Sequence, residues 1–395
     1  MTPLHIAAFT LTSALGHGRE AHRAALHAER SGLRPAAFDL SQIECFIGEV
    51  ERLDSPLPAR LRAFDCRNHR LAWLALQQDG FLESVARLRA RHGAGRIGVF
   101  IGSTTAGIHS AELAFRERVA SDAALPDWFD YRHTQALGSA AEMVAAALEL
   151  QGIALTVSTA CSSSAKVFAT ASRALSAGLC DAAVVGGVDS LCLTTLHGFN
   201  ALQLIGAEPC RPADAARRGI SIGEAAAFAV LTRPQDDDGA PAGRLLGYGE
   251  SSDAHHMSAP HPEGRGAAAS MRAALRSAGL EVAAIDYINL HGTGTPANDA
   301  AEDRAVCAVF GSGTRCSSTK GWTGHTLGAA GAIEACLTLL CAADGYLPRS
   351  LNTRTLDPAF GAQVLLAAQR APIRHALSNS FGFGGNNCTL LLGAA

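Results

Sequence analysis

Short apolar runs of strand length alternate along this chain with longer segments in which apolar residues recur at helical spacing. Residues 4–11 read as a strand, and the alanine-rich stretch from Gly18 to Ala28 as a helix that stops before Ser31-Gly32. Arg96-Ile-Gly-Val-Phe-Ile-Gly102 reads as a buried strand, followed by a polar Ser-Thr-Thr-Ala-Gly turn suited to lining a pocket. A helix over 139–150 leads into Leu155-Thr-Val-Ser-Thr-Ala-Cys161, a strand-type run that ends on a cysteine and changes at once into an amphipathic helical pattern. Asp181–Asp189 is a near-continuous apolar strand of the parallel, doubly covered kind, and 225–231 is a further strand. A second series follows: strand 244–248, helix 267–278, strand 285–290, helix 301–310 and a long apolar helix from 329 to 342. Strands alternating with helices predict an α/β layered fold.

The sharpest break in composition is Arg233-Pro-Gln-Asp-Asp-Asp-Gly-Ala-Pro241, whose three aspartates read as a solvated loop rather than a metal site. It divides the chain into halves, 1–235 and 236–395, that share a rhythm of elements without a residue-level repeat. With 395 residues and 48% hydrophobic content the chain has enough material for a large core. A formal net charge of -3 gives no global field for nucleic acid, so a polyanionic partner has to be met by a local patch. The 11 cysteines are odd in number, scattered and free of any C-x-x-C pair, which points to a reducing cytoplasm. The first residues carry no basic segment followed by an apolar core, and no run of about 18 apolar residues is evident, so neither export nor a membrane span is expected.

Candidate chemistry begins at Cys161. A lone cysteine beside alanines is ordinarily a small buried hydrophobe. At a helix's first turn, however, it faces unpaired N–H groups and the positive end of the helix dipole, and there Cys161 is expected to be partly ionised near neutral pH. Asn289-Leu-His291-Gly-Thr-Gly-Thr-Pro296 places a histidine at a strand end, and Ser318-Thr-Lys320-Gly-Trp-Thr-Gly-His325 places a lysine and a second histidine in a similar turn before a helix carrying Glu334. Strand ends on one edge of a parallel sheet converge, so these turns are expected to bring Cys161, His291 and His325 together. Ser378-Asn-Ser-Phe-Gly-Phe383-Gly-Gly-Asn-Asn387 reads as a glycine-rich loop able to bring backbone N–H groups near a reacting carbonyl oxygen, and it opens no helix as a phosphate loop would.

Together these motifs resemble the β-ketoacyl-acyl-carrier-protein synthases of the thiolase superfamily, of the elongating Cys-His-His type; the similarity also covers Gly247–Met257 and Glu29-Arg-Ser-Gly-Leu, and so spans nearly the whole chain. The resemblance implies a thiolase-like five-layer α-β-α-β-α fold from two related halves, a dimer, and decarboxylative condensation of malonyl units with an acyl chain held on Cys161. It implies an oxyanion hole from the backbone N–H groups of Cys161 and Phe383, with Phe383 as a gate. His291 and His325 would polarise the malonyl thioester, and Lys320 with Glu334 would order the site. Thr293, Thr295, Asn387, Thr104 and Thr105 are the expected substrate-lining residues. No metal and no cofactor is implied, His255 and His256 falling in a loop the family uses without one. The implied partners are an acyl carrier protein and a second subunit, identical or of the chain-length-factor kind, with no nucleic acid and no membrane. The arginines at 62, 67, 70, 211, 217 and 218 are the basic residues expected to meet the acidic carrier. Lys166 stands where many bacterial members carry histidine or an apolar residue, and Thr104 and Thr105 where an apolar pocket residue is frequent; both point to an unusual, polyunsaturated or aryl-bearing chain. Two rivals share the fold: a thiolase, which wants a second cysteine in a Cys-x-Gly turn where Cys388 is followed by Thr-Leu, and a non-catalytic chain-length-factor-like subunit, against which retention of Cys161, His291 and His325 speaks.

Overall fold

The computed structural model describes residues 1–121, 124–236 and 239–395. Asp237 and Asp238 of the expected aspartate loop lie outside the described residues. The first half supplies strands β1 (Leu4–Ser13), β2 (Ile97–Gly102), β3 (Ala154–Val157), β4 (Ala182–Asp189) and β5 (Ala225–Thr232), and the second supplies β6 (Gly243–Ser252), β7 (Tyr287–Asn289), β8 (Arg315–Ser317), β9 (Gln363–Val364), β10 (His375–Gly382) and β11 (Asn386–Gly393). The main helices are α1 (Gly18–His27), α2 (Arg67–Leu76), α3 (Phe81–His92), α4 (Ser139–Ala147), α5 (Ser163–Ser176), α6 (Arg265–Ala278), α7 (Pro296–Phe310) and α8 (Ala330–Asp344).

The first half of the sheet runs β3-β2-β4-β5-β1, parallel across β3, β2 and β4 and antiparallel from there on. The second runs β8-β7-β10-β11-β6 with the same alternation of parallel and antiparallel pairs, β9 lying outside β8. Strand for strand the halves match, so the sheet pairing shows a duplication that the residues themselves only allowed. The halves join where Leu4–Ile6 of β1 pairs with residues 243–245 of β6.

The three larger of the four apolar clusters follow from this layout. α2, α3 and α4 cover the outer face of the first half, and α6 and α7 that of the second. Between the two halves of the sheet lie α5 and α8, packed on each other and on both halves. The layers are thus helix, sheet, helix, sheet, helix. Every residue of α8 from Ala330 to Cys341 is buried, which is why it reads as apolar all round instead of striped. Residues 327–344 reach a mean hydropathy of 1.5, enough by composition to cross a membrane, but 83% of that window is buried inside the fold. At the centre α5 and α8 come so close that a Cβ on Gly331 would stand 2.4 Å from the Ala165 nitrogen.

Two expected elements differ. α7 starts at Pro296, five residues before the expected start, because Pro is pre-set for the first helical position and Thr295 in extended backbone precedes it. The stretch 378–387 is no loop: it is two long strands joined by a tight turn at Phe383–Gly385, where Gly384 and Gly385 both take positive φ.

Candidate active site

Cys161 lies between β3 and α5, after Ala160, a non-glycine residue at φ 52°. Serines hold this strained turn: Ser163 Oγ accepts the Thr159 N–H at 2.9 Å and donates to the Ala160 carbonyl at 2.5 Å, and Ser162 Oγ donates to the Thr159 carbonyl at 2.9 Å. The helix opens only at Ser163, so Cys161 stands ahead of its first turn. The expected ionisation near neutral pH is corrected accordingly: burial pushes the Cys161 thiol up to about 11, against the opposing pull of Lys320 and of the Phe383 and Cys161 backbone N–H groups. Those two N–H groups converge on the sulfur. Gly382 makes that approach possible, since a Cβ there would meet the Thr159 carbonyl oxygen at 2.9 Å and the Cys161 nitrogen at 3.1 Å.

The two histidines come from the second half. His325 Nε2 is 3.1 Å from Cys161 Sγ, and its Nδ1 accepts the Leu327 N–H at 3.2 Å, which fixes the proton on Nε2. The His291 ring lies 5.3 Å from that of His325, nearly perpendicular at 86°. The Lys320 ammonium donates to His291 Nδ1 at 3.2 Å and to the His291 carbonyl at 2.6 Å, and pairs with Glu334. His291 thus also carries its proton on Nε2. Burial, with Lys320 beside them, holds both imidazoles well below their usual range and therefore neutral. Burial raises Glu334 to about 7 although Lys320 opposes it. Cys161 Sγ and the histidine nitrogens lie within 4.8 Å of one another, a spacing metal ligands also have. The Lys320 cation already set against this cluster suits the site to an anion instead.

A cavity of about 240 Å³ opens over the sulfur, lined by Cys161, His291, His325, Phe383 and the apolar wall Phe199, Leu202, Leu204 and Ile220. Thr293, Thr295 and Asn387 face it as well. Thr104 and Thr105 do not, correcting that expectation: their N–H groups and hydroxyls all go to the buried Asp189 carboxylate, at 2.5–3.0 Å. The same carboxylate takes Ser103 Oγ at 2.8 Å and the Gly328 N–H at 2.6 Å, so it ties this turn to the His325 loop. The expected basic face is corrected too. Arg67 pairs with Glu224 at 2.5 Å, Arg70 with Asp65 at 2.7 Å and Arg217 with Asp357 at 2.6 Å, while Arg211 pairs with Glu208; Arg62 and Arg218 remain exposed. Lys166 is mostly buried, its ammonium 3.8 Å from Glu250 and 3.5 Å from Asn386 Oδ1. Cys388 is fully buried in β11 and does not line the cavity.

Glu302 is a site residue that the motif reading missed. From α7 it accepts the His291 N–H at 2.8 Å, the Gly292 N–H at 2.7 Å and Asn379 Nδ2 at 3.1 Å, and burial raises it to about 7. No local signal marks it: the first-turn preference for acidic residues reaches Asp299, whereas Glu302 lies a turn further along α7.

The family model "Beta-ketoacyl synthase, N-terminal domain" matches residues 21–237, and "Beta-ketoacyl synthase, C-terminal domain" matches 242–354. A 3-oxoacyl-[acyl-carrier-protein] synthase 2 of Coxiella burnetii is 33% identical over 93% of this chain and 92% of its own length. A mitochondrial 3-oxoacyl-[acyl-carrier-protein] synthase of Arabidopsis thaliana is 40% identical over 59% of the chain, which spans 54% of that relative. Among solved structures, a ketosynthase (ApeO) in complex with its chain length factor (ApeC) from Xenorhabdus doucetiae superposes with a TM-score of 0.91 at 39% identity, covering 100% of this chain and 98% of that one. The chain belongs to the β-ketoacyl synthase family of thiolase-fold acyltransferases, the condensing enzymes of fatty-acid and polyketide synthesis.

Proposed function

We propose that Cys161 accepts an acyl chain from an acyl carrier protein as a thioester, releasing the carrier's thiol, and that the chain is then extended by a malonyl unit. In that second step the bond to the malonyl carboxylate breaks, carbon dioxide leaves, and the electron pair is held as an enolate against the Nε2–H donors of His291 and His325. The enolate carbon attacks the acyl carbonyl, the oxyanion is held by the N–H groups of Cys161 and Phe383, and the Cys161 thiolate leaves and is reprotonated. Every carbon, oxygen and sulfur comes from the two thioesters, and the proton returned to Cys161 from solvent, so the step calls for no cofactor. Lys320 and Glu334 position His291 and do not touch substrate; Thr293, Thr295 and Asn387 line the malonyl side. The two catalytic groups belong to related halves, 1–235 and 236–395.

The observation that carries this reading is the neutral His325, its Nε2–H 3.1 Å from Cys161 Sγ, with His291 5.3 Å beyond it. We assign the chain the catalytic role beside a second subunit of the same fold. The likeness to a ketosynthase solved with its chain length factor supports a chain-length-factor-like partner. Arg62 and Arg218 are the exposed arginines of the expected set left for the carrier. The 11 free cysteines accord with a cytoplasmic setting. Intact mass after incubation with acyl carrier substrates tests the assignment. Cys161→Ala should take no acyl mass, whereas His291→Ala and His325→Ala should still be acylated and lose malonyl decarboxylation. Equal loss of both half-reactions in the histidine variants would remove their separate role.

A further inference from the structure

The helix over Leu193–Ala201 carries Phe199, whose ring stacks on Phe383 at 5.5 Å and 30°; both rings face the cavity above Cys161. Leu202 and Leu204, just beyond it, form the next part of the same wall. This helix is weakly anchored. It has nine residues, only Leu196 among them is buried, and the residue before it, Cys192, gives no side-chain cap. Its orphan first-turn donors are met from a different element. Glu112, on the helix Ile108–Ser121, accepts the Leu193 N–H at 3.0 Å and, through its other oxygen, the Thr194 N–H and hydroxyl, each at 2.6 Å. A carboxylate at a helix N-terminus is favoured both as a cap and by the dipole.

We propose that Glu112 is a positioning residue for the acyl chain: by capping the Leu193–Ala201 helix it sets where Phe199 meets Phe383, and so how much chain the cavity accepts. The inference rests on the acyl-cysteine reading above. Glu112 touches neither sulfur nor histidine, so its influence falls on long chains and leaves a two-carbon chain alone.

The test compares kcat/KM for a long-chain and a two-carbon acyl carrier thioester in the parent, Glu112→Ala, Glu112→Gln and Phe199→Ala. Loss of the cap should lower the long-to-short ratio about fivefold, with transfer of the two-carbon group within about twofold of the parent, and Glu112→Gln, which keeps one accepting oxygen, should recover most of the ratio. In the Phe199→Ala background Glu112→Ala should add no further discrimination, because its effect runs through that ring. Should Glu112→Ala fail to fold, Thr194→Val, which removes one of the three bonds, should shift the ratio the same way. An unchanged ratio, or an effect that persists undiminished without Phe199, overturns the inference. A parent that takes no acyl group from either thioester overturns the acyl-cysteine reading instead.

Discussion

Cys161, the proposed nucleophile, illustrates how residue-scale physics is decided by one or two positions along the chain. The helix dipole acts within the first turn, and Cys161 precedes that turn and is buried, so desolvation outweighs it. A thiol raised to about 11 is protonated at neutral pH and ionises only as pH climbs. Inactivation by iodoacetamide should therefore keep accelerating from about pH 7 to 10, following the thiolate fraction. A rate already level by neutral pH would show instead that the Phe383, Cys161 and His325 donors overcome burial.

Elements matter here mainly through how tightly their ends approach. The turn after β10 brings the Phe383 N–H to the sulfur only because Gly382 leaves room against residues 159–161. Gly382→Ala should displace that donor and lower the rate of Cys161 acylation about a hundredfold, with thermal stability reduced far less; a variant acylated at the parent rate would show that the turn tolerates a side chain. Strands such as Ala182–Asp189, buried along their whole length, were legible as unbroken apolar runs. β10 was not, because Ser378, Asn379 and Ser380 interrupt it, and a buried polar strand imitates a loop. Asn379 is tolerated there by its bonds to Glu302 and Thr389, partners that no local pattern reveals. The motifs around His291 and His325 were legible since turn chemistry is local. Which arginines were free was not: the carboxylates of Glu224 and Asp357 that neutralise Arg67 and Arg217 lie 157 and 140 residues away.

At the scale of the molecule, two buried histidines far from the site make stability depend on pH. His22 donates from Nδ1 to the Gly18 carbonyl at 2.8 Å and meets Ser13 Oγ at 2.8 Å; His69 donates to the Phe64 carbonyl at 2.7 Å. Burial lowers each to about 4 from 6.5, so below the ordinary value the unfolded chain binds protons that the folded chain refuses. Their stabilisation is complete above pH 6.5 and is lost as pH falls toward 4, on the order of 3 kcal/mol for each. The urea midpoint should drop between pH 7.5 and about 5, and replacing both histidines by neutral polar residues should flatten that drop. A midpoint independent of pH over this range would mean that both rings accept protons within the fold.

The close contact of α5 and α8 at Ala165 and Gly331 has a wider consequence. Cys161 leads into α5 and His325 precedes α8, the matching junctions of the two halves, so the atoms proposed to react share no strand, turn or local hydrogen-bond ladder. Their alignment is a property of a seam. A slip of roughly one ångström between those helices would part sulfur from imidazole and cost about two orders of magnitude in rate, yet leave every strand pair in place. On the proposed chemistry, catalysis is therefore a gauge of registration between the two halves, more sensitive than any measure of how well either one is folded.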